Sequence, residues 1–166
     1  MPNPRYHPRR MEKNMPSRAD QFAVIRGQSF LTIALCKDNE PYLVSLNYGF
    51  DEAAMCFYVH CANEGRKLDF LRANPRVWGQ VVEDRGYIAG ECSHAYRSVM
   101  FEGVVEWVEG PEEKLAALAL MVDQFEPEPE GLKARLVVPA KMPGTTVLRI
   151  RILHISGKQS PPPGKG

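Results

Sequence analysis

From Tyr96 to Val108 runs the longest stretch of strand-forming residues in the chain, and a glycine stands in the middle of it. Successive side chains of a strand point to opposite faces. Val99, Phe101, Gly103, Val105 and Trp107 therefore share one face, with Glu102 and Glu106 on the other. A glycine inside such a strand marks a bulge or the tight bend that a barrel needs. A second run repeats the pattern: Tyr42, Val44, Leu46, Tyr48 and Phe50 on one side, Leu43, Ser45 and Asn47 on the other. Phe30 to Cys36, Met55 to Cys61, Val77 to Val82 and Thr145 to Ile155 are further strand candidates. In the last of these Leu148, Ile150 and Ile152 face inward and Arg149 and Arg151 outward. Polar turns such as Lys37–Glu40 and Asp51–Glu52 separate most of them. Strands joined by tight turns, with few helices, predict a mainly β, α+β chain whose sheet is an antiparallel barrel.

The helices are short. Ser17 is placed to cap one running to Arg26, with Phe22 and Ile25 on one side. Pro111 suits a first helical position, and Leu115, Leu118, Ala119, Val122 and Phe125 give the helix after it an apolar face. Glu126 to Gly144, punctuated by proline and charge, reads as a long loop with a helical turn. Pro2, Pro4, Pro8 and Pro16 outline a flexible arm over residues 1–16, carrying Arg5, Arg9, Arg10 and Lys13. Pro161 to Pro163 belong to a tail, residues 159–166, that does not pack. Residues 17–158 are the expected folded domain.

Among 166 residues, 21 basic side chains nearly balance 20 acidic ones, for a net charge of +1. No global field draws such a chain to nucleic acid or to an anionic membrane, so any anion site has to be local. No apolar run approaches the length of a membrane span. The expectation is a cytoplasmic protein with neither nucleic-acid nor membrane partner. The four cysteines, Cys36, Cys56, Cys61 and Cys92, form no Cys-x-x-Cys pair. Cys92 and His94 alone are too few for a metal site, so none is expected.

One local anion site does suggest itself. After the Met55 strand comes Asn63-Glu64-Gly65-Arg66-Lys67-Leu68-Asp69, where a helix should begin and where Asn74-Pro75 ends it. Asn63 is an N-cap candidate, and Gly65 permits close backbone approach. Unpaired N–H groups and the positive dipole end, joined by Arg66 and Lys67, suit a phosphate. On this segment alone the plainer reading, two solvated cations on an exposed face, is the better one.

Taken together and in order, several segments shift that balance. Pro41 to Phe50, Phe57-Tyr-Val-His-Cys61, Glu64 to Val77, Tyr96-Arg97-Ser98-Val99 and the closing Ile155-Ser-Gly-Lys158 resemble the FMN-binding split-barrel proteins. The closer similarity is to the branch related to pyridoxamine 5'-phosphate oxidase that includes nitroimidazole-resistance proteins. The resemblance implies a six-stranded antiparallel split β-barrel that forms a homodimer, with FMN at the subunit interface. It assigns the polar edge of the flavin to Ser45, Leu46, Asn47 and Tyr48, and the phosphate to Gly65, Arg66 and Lys67. His60 and Cys61 would border the ring or ribitol, and Tyr96, Arg97, Ser98 and Val99 would reach the flavin or the partner subunit. Each has a plainer alternative: Asn47 as a turn cap, Tyr96 as packing, His60 as a hydrogen-bonded strand end.

The implied activity is that of an FMN-dependent oxidoreductase on a small aromatic or planar acceptor, nitroimidazoles being the most specific case. In such chemistry the cofactor moves the electrons and the protein orients it. No catalytic acid–base residue is assigned. Glu126 to Gly144 is placed to cover the flavin's exposed face and so to set the substrate. The rivals are a non-enzymatic flavin sensor and a haem-binding split barrel with His60, His94 or His154 as ligand.

Overall fold

The computed structural model describes residues 10–160. Seven antiparallel strands make one sheet: β1 (Leu31–Lys37), β2 (Glu40–Leu46), β3 (Gly49–Asp51), β4 (Cys56–Cys61), β5 (Arg76–Ile88), β6 (Ser93–Trp107) and β7 (Thr146–Ser160). Their spatial order is β2-β1-β5-β6-β7-β4-β3. The two outermost strands, β2 and β3, are therefore neighbours in sequence, linked by Asn47 and Tyr48 alone. Three Cα steps of about 3.8 Å hold Leu46 and Gly49 within roughly 11 Å of each other. The sheet must curl until its edges meet, and the seam between them is the split of a split barrel.

That seam also corrects the expected strand count. The run Tyr42 to Phe50 alternates as expected, but it crosses from one sheet edge to the other at Asn47, so one anticipated strand is two and six become seven. Gly103 behaves as anticipated, since the β6–β7 register slips between Glu102 and Gly103 and Leu153 is left over. The interior is aromatic: Phe57 packs at 4.7 Å between centroids on Phe101 and edge-on at 5.3 Å on Tyr48. The Phe101 ring lies directly over Gly79, where a Cβ would come within 2.2 Å of its Cζ.

Among the described residues four α-helices dress the barrel: α1 (Arg18–Gly27), α2 (Arg66–Ala73), α3 (Pro111–Phe125) and α4 (Pro129–Leu136). Ser17 Oγ accepts from the Asp20 amide at 3.3 Å, the expected cap. The C-terminal end of α1 is tied by Tyr48, whose hydroxyl shares its proton between the carbonyls of Ile25 (2.5 Å) and Gln28 (2.9 Å). Helix α3 covers the β3 edge, where Gln124 Oε1 accepts from the Phe50 amide at 2.9 Å. Its first turn is pinned to the sheet through Glu113, which takes Arg149 at 2.8 Å and the Tyr58 hydroxyl at 3.1 Å.

Three expectations about the ends and the loop change. Glu126 to Gly144 is not a loop with one turn but α4 followed by a 3-10 segment, Pro139–Gly144. The folded body also extends past both expected boundaries. Met15, placed in the flexible arm, is 1% exposed, its amide donates to Gly157 O at 3.0 Å, and its carbonyl accepts from Gln21 Nε2 at 2.8 Å. Gln159 and Ser160, placed in the tail, complete β7 opposite Arg97 and Tyr96. The arm before Arg10 and the tail from Pro161 lie outside the described residues. Among the described residues no helix is long and apolar enough to cross a membrane.

Candidate functional site

The barrel seam, the end of β4 and the start of α2 meet at one place. Gly65, not Asn63, is the N-cap of α2; its φ of 136° is a conformation that L side chains rarely adopt. A Cβ there would meet nothing within 4 Å, so the turn opens onto free space. Intrahelical bonding begins only with Leu68 N, 2.9 Å from Gly65 O, which leaves the Arg66 and Lys67 amides ahead of the helix ladder. Asn63 turns elsewhere: its amide nitrogen donates to Pro143 O at 2.8 Å and its oxygen accepts from Thr146 Oγ1 at 2.9 Å.

The two cations diverge. Arg66 pairs with Glu40 at the β1–β2 turn and lies 4.6 Å over the Tyr42 ring and 5.4 Å from that of Phe70. Lys67 turns the other way and is half-buried, with no side-chain hydrogen bond or ion pair among the described residues. Its charge is felt at the β4 end. His60 is held below its usual pKa, first by loss of solvent around the ring and then by repulsion from Lys67. Burial raises the Cys61 thiol, and Lys67 partly opposes that.

His60 and Asn47 open onto a chamber of about 360 Å³ between the barrel and the helices. Leu118, Met121, Val122 and Phe125 of α3 form one wall, Leu132 and Leu136 of α4 another, and Lys141, Met142 and Thr145 its end. The Asn47 amide nitrogen is anchored on Ser29 O at 2.9 Å, which leaves its oxygen as an acceptor at the seam. Sequence reasoning missed this chamber. The apolar stripe of α3 was visible, but the side of the helix that is buried carries Ala117 and Met121. Leu118, Val122 and Phe125 of the expected apolar face line the chamber together with Met121.

The remaining candidates fall into two groups. Ser45 is exposed on β2, its hydroxyl 2.9 Å from that of Thr32, and Leu46 packs on the core. Tyr48 and Val99 are both 0% exposed and point inward, so any ligand contact of theirs runs through the backbone. Tyr96, Arg97, Ser98 and Val99 do not line the chamber. Ser98 lies nine residues along β6 from Trp107, which pairs with Leu148 beside Val59, the neighbour of His60. At ~3.3 Å per residue that is about 30 Å of strand. Arg97 is tied to Glu83, and Lys158 lies 5.9 Å over the Tyr96 ring. His94 bonds Asp84 at 2.6 Å on the β5–β6 hairpin, away from the chamber lining.

A split antiparallel barrel with a glycine-led, cation-bearing helix start beside its seam defines the structural class of the protein. The chain matches the pyridoxamine 5'-phosphate oxidase family over residues 17–159 and belongs to it. Among solved structures, the flavocytochrome Anf3 of Azotobacter vinelandii aligns with a TM-score of 0.81 at 21% identity, over 97% of this chain and 77% of that one. A Bacteroides thetaiotaomicron protein named for 5-nitroimidazole antibiotic resistance gives 0.75 at 21% identity, over 88% and 86%. The FAD and haem binding protein of Mycobacterium smegmatis gives 0.74 at 22% identity, over 89% and 73%. A curated relative, the uncharacterized protein RA0666 of Rhizobium meliloti (strain 1021), is 31% identical over 68 residues, 40% of this chain and 42% of its own length. The chain thus spans less than half of that relative.

Proposed function

We propose that this protein binds a flavin, FMN in the first instance, and uses it as an oxidoreductase on a small aromatic or planar acceptor. The observation that carries the reading is Lys67: a cation with no hydrogen-bond or ion-pair partner among the described residues, at a helix start whose first amides precede the helix ladder, next to a chamber lined by His60 and Asn47. The phosphate would rest on Lys67 and the first amides of α2, and the polar ring edge on the Asn47 carboxamide and the β2 backbone. The chamber would take the acceptor. Arg66 would join after leaving Glu40, an exposed pair of the kind worth about 0–1 kcal/mol. Family membership and the flavin-binding names of structural neighbours support the cofactor class. When bound, the flavin supplies electron transfer; the protein's residues bind and orient it and keep water from the ring.

The position of Tyr96 to Val99 supports a homodimer. They lie far along β6 from His60 within one copy, so both sets serve one cofactor only if a second copy supplies the first. The outer sheet face carries the apolar side chains for such contact: Leu43 and Met100 are 66% and 43% exposed. The neighbour named for nitroimidazole resistance makes a nitroheteroaromatic the acceptor to try first.

The test is a visible spectrum of freshly purified protein, mass identification of the released cofactor, and bleaching by NADH or NADPH with reoxidation by an acceptor. A flavin spectrum that no nicotinamide donor bleaches would point to a sensor. A Soret band would overturn the reading in favour of haem, for which the neutral imidazole of His60 in an apolar chamber is the available ligand.

A further inference from the structure

A second hollow of about 220 Å³ lies against the 3-10 segment Pro139–Gly144, and its chemistry is unlike that of the chamber. Arg72, from the last turn of α2, and Lys114, from the first turn of α3, line it against one carboxylate, Glu109. Lys114 is half-buried and its ammonium has no hydrogen-bond or ion-pair partner among the described residues. Among the described residues Arg72 is held only by Asp69, at 3.3 Å and exposed. Asn63 also borders the recess, but both ends of its carboxamide are used in fastening Pro143 and Thr146. That fixes the 3-10 segment to β7 and leaves the two cations to face whatever enters.

Met142 and Thr145 line both the recess and the chamber. These two residues therefore stand between the hollows, and methionine, unbranched and with three rotatable bonds, yields readily. We propose that chamber and recess are the two halves of one binding site, and that its ligand is an apolar, aromatic-sized carboxylic acid. The apolar body lies between α3 and α4, and the carboxylate reaches past Met142 to Lys114 and Arg72. Cations without committed partners bind a carboxylate through charge-assisted hydrogen bonds between opposite charges, while an uncharged end gains less from them. The inference gives the substrate class of the proposed oxidoreductase and rests on that reading for the ligand's role, although the binding itself does not require flavin.

The experiment compares biphenyl-4-carboxylate with biphenyl-4-carboxamide, isosteres that differ in charge, by calorimetry on the protein as purified. The acid should bind about tenfold tighter than the amide or better. Arg72→Gln with Lys114→Gln should bring the acid down to the level of the amide and weaken the amide far less. Leu132→Trp, which fills the chamber, should weaken both. Equal binding of acid and amide, a preference that survives the double substitution, or indifference to Leu132→Trp would each overturn the proposal. The flavin spectrum of each variant is recorded alongside. In the unsubstituted protein, absence of an acid preference with flavin retained counts against the recess alone, and acid preference in a protein without flavin counts against the oxidoreductase alone.

Discussion

Replacing Lys67 by alanine should weaken FMN binding and leave riboflavin untouched, and the size of the loss follows from what each cation is already doing. A charge-assisted hydrogen bond contributes about 1.5–3 kcal/mol, which translates to roughly tenfold to a hundredfold in affinity. Lys67 breaks no ion pair to make such a bond, so Lys67→Ala should show most of that loss. Arg66 starts from a different place, with its guanidinium 57% and its Glu40 partner 61% exposed. Leaving that pair costs about 0–1 kcal/mol, and leaving the Tyr42 stack costs about 0.5–1 kcal/mol more. Arg66→Ala should therefore cost only severalfold, and Lys67→Ala should be the more damaging change. The assay is titration of apo-protein with FMN and with riboflavin, followed by quenching of flavin fluorescence. Riboflavin lacks the phosphate, so general damage to the barrel would lower both ligands together. Unchanged FMN affinity in Lys67→Ala, or a parallel fall for riboflavin, would refute the assignment of the phosphate to this helix start.

Three further outcomes are expected. His60 holds its proton less firmly than the ordinary value of 6.5, so below that pH the unfolded chain binds a proton that the folded one does not. Its contribution to stability is thus present above 6.5 and lost as pH falls toward the folded value; Lys67→Ala should move the His60 titration upward by NMR, and a fixed titration would separate the two residues. Met15→Ala should cost about 2–5 kcal/mol in a denaturant melt, as for a fully buried methionine, and a loss below ~1 kcal/mol would return residue 15 to a dispensable arm. Gly79→Ala should destabilise by about 1–3 kcal/mol through collision with the Phe101 ring, and Phe101→Leu should relieve part of that in the double variant. Additive losses would show that the ring is not the obstacle.

How far the sequence could be read depends on what each pattern records. Alternation records which side chains are buried, and it placed Tyr42, Val44, Leu46, Tyr48 and Phe50 on the inner face correctly. It does not record which strand is the hydrogen-bonding neighbour, so the crossing at Asn47, where the chain passes from one edge of the sheet to the other, left no mark. The helix Pro129–Leu136 has proline in its first turn and Leu132 and Leu136 one turn apart, but the prolines at 127, 139 and 143 made the stretch read as a loop. At the site, Gly65-Arg66-Lys67 was legible as a helix start because its signals are local. Which cation stays available was not, because Glu40 stands 26 residues away and arrives beside Arg66 only through the β1–β2 turn. The chamber was hidden for the same reason. An apolar stripe on α3 specifies that something must cover it, and only the placement of α4 and the 3-10 segment shows that the cover stands off and leaves room for a ligand. Burial and local caps are written in short windows of sequence; a vacancy between elements is written in none of them, and in this protein the room for chemistry is such a vacancy.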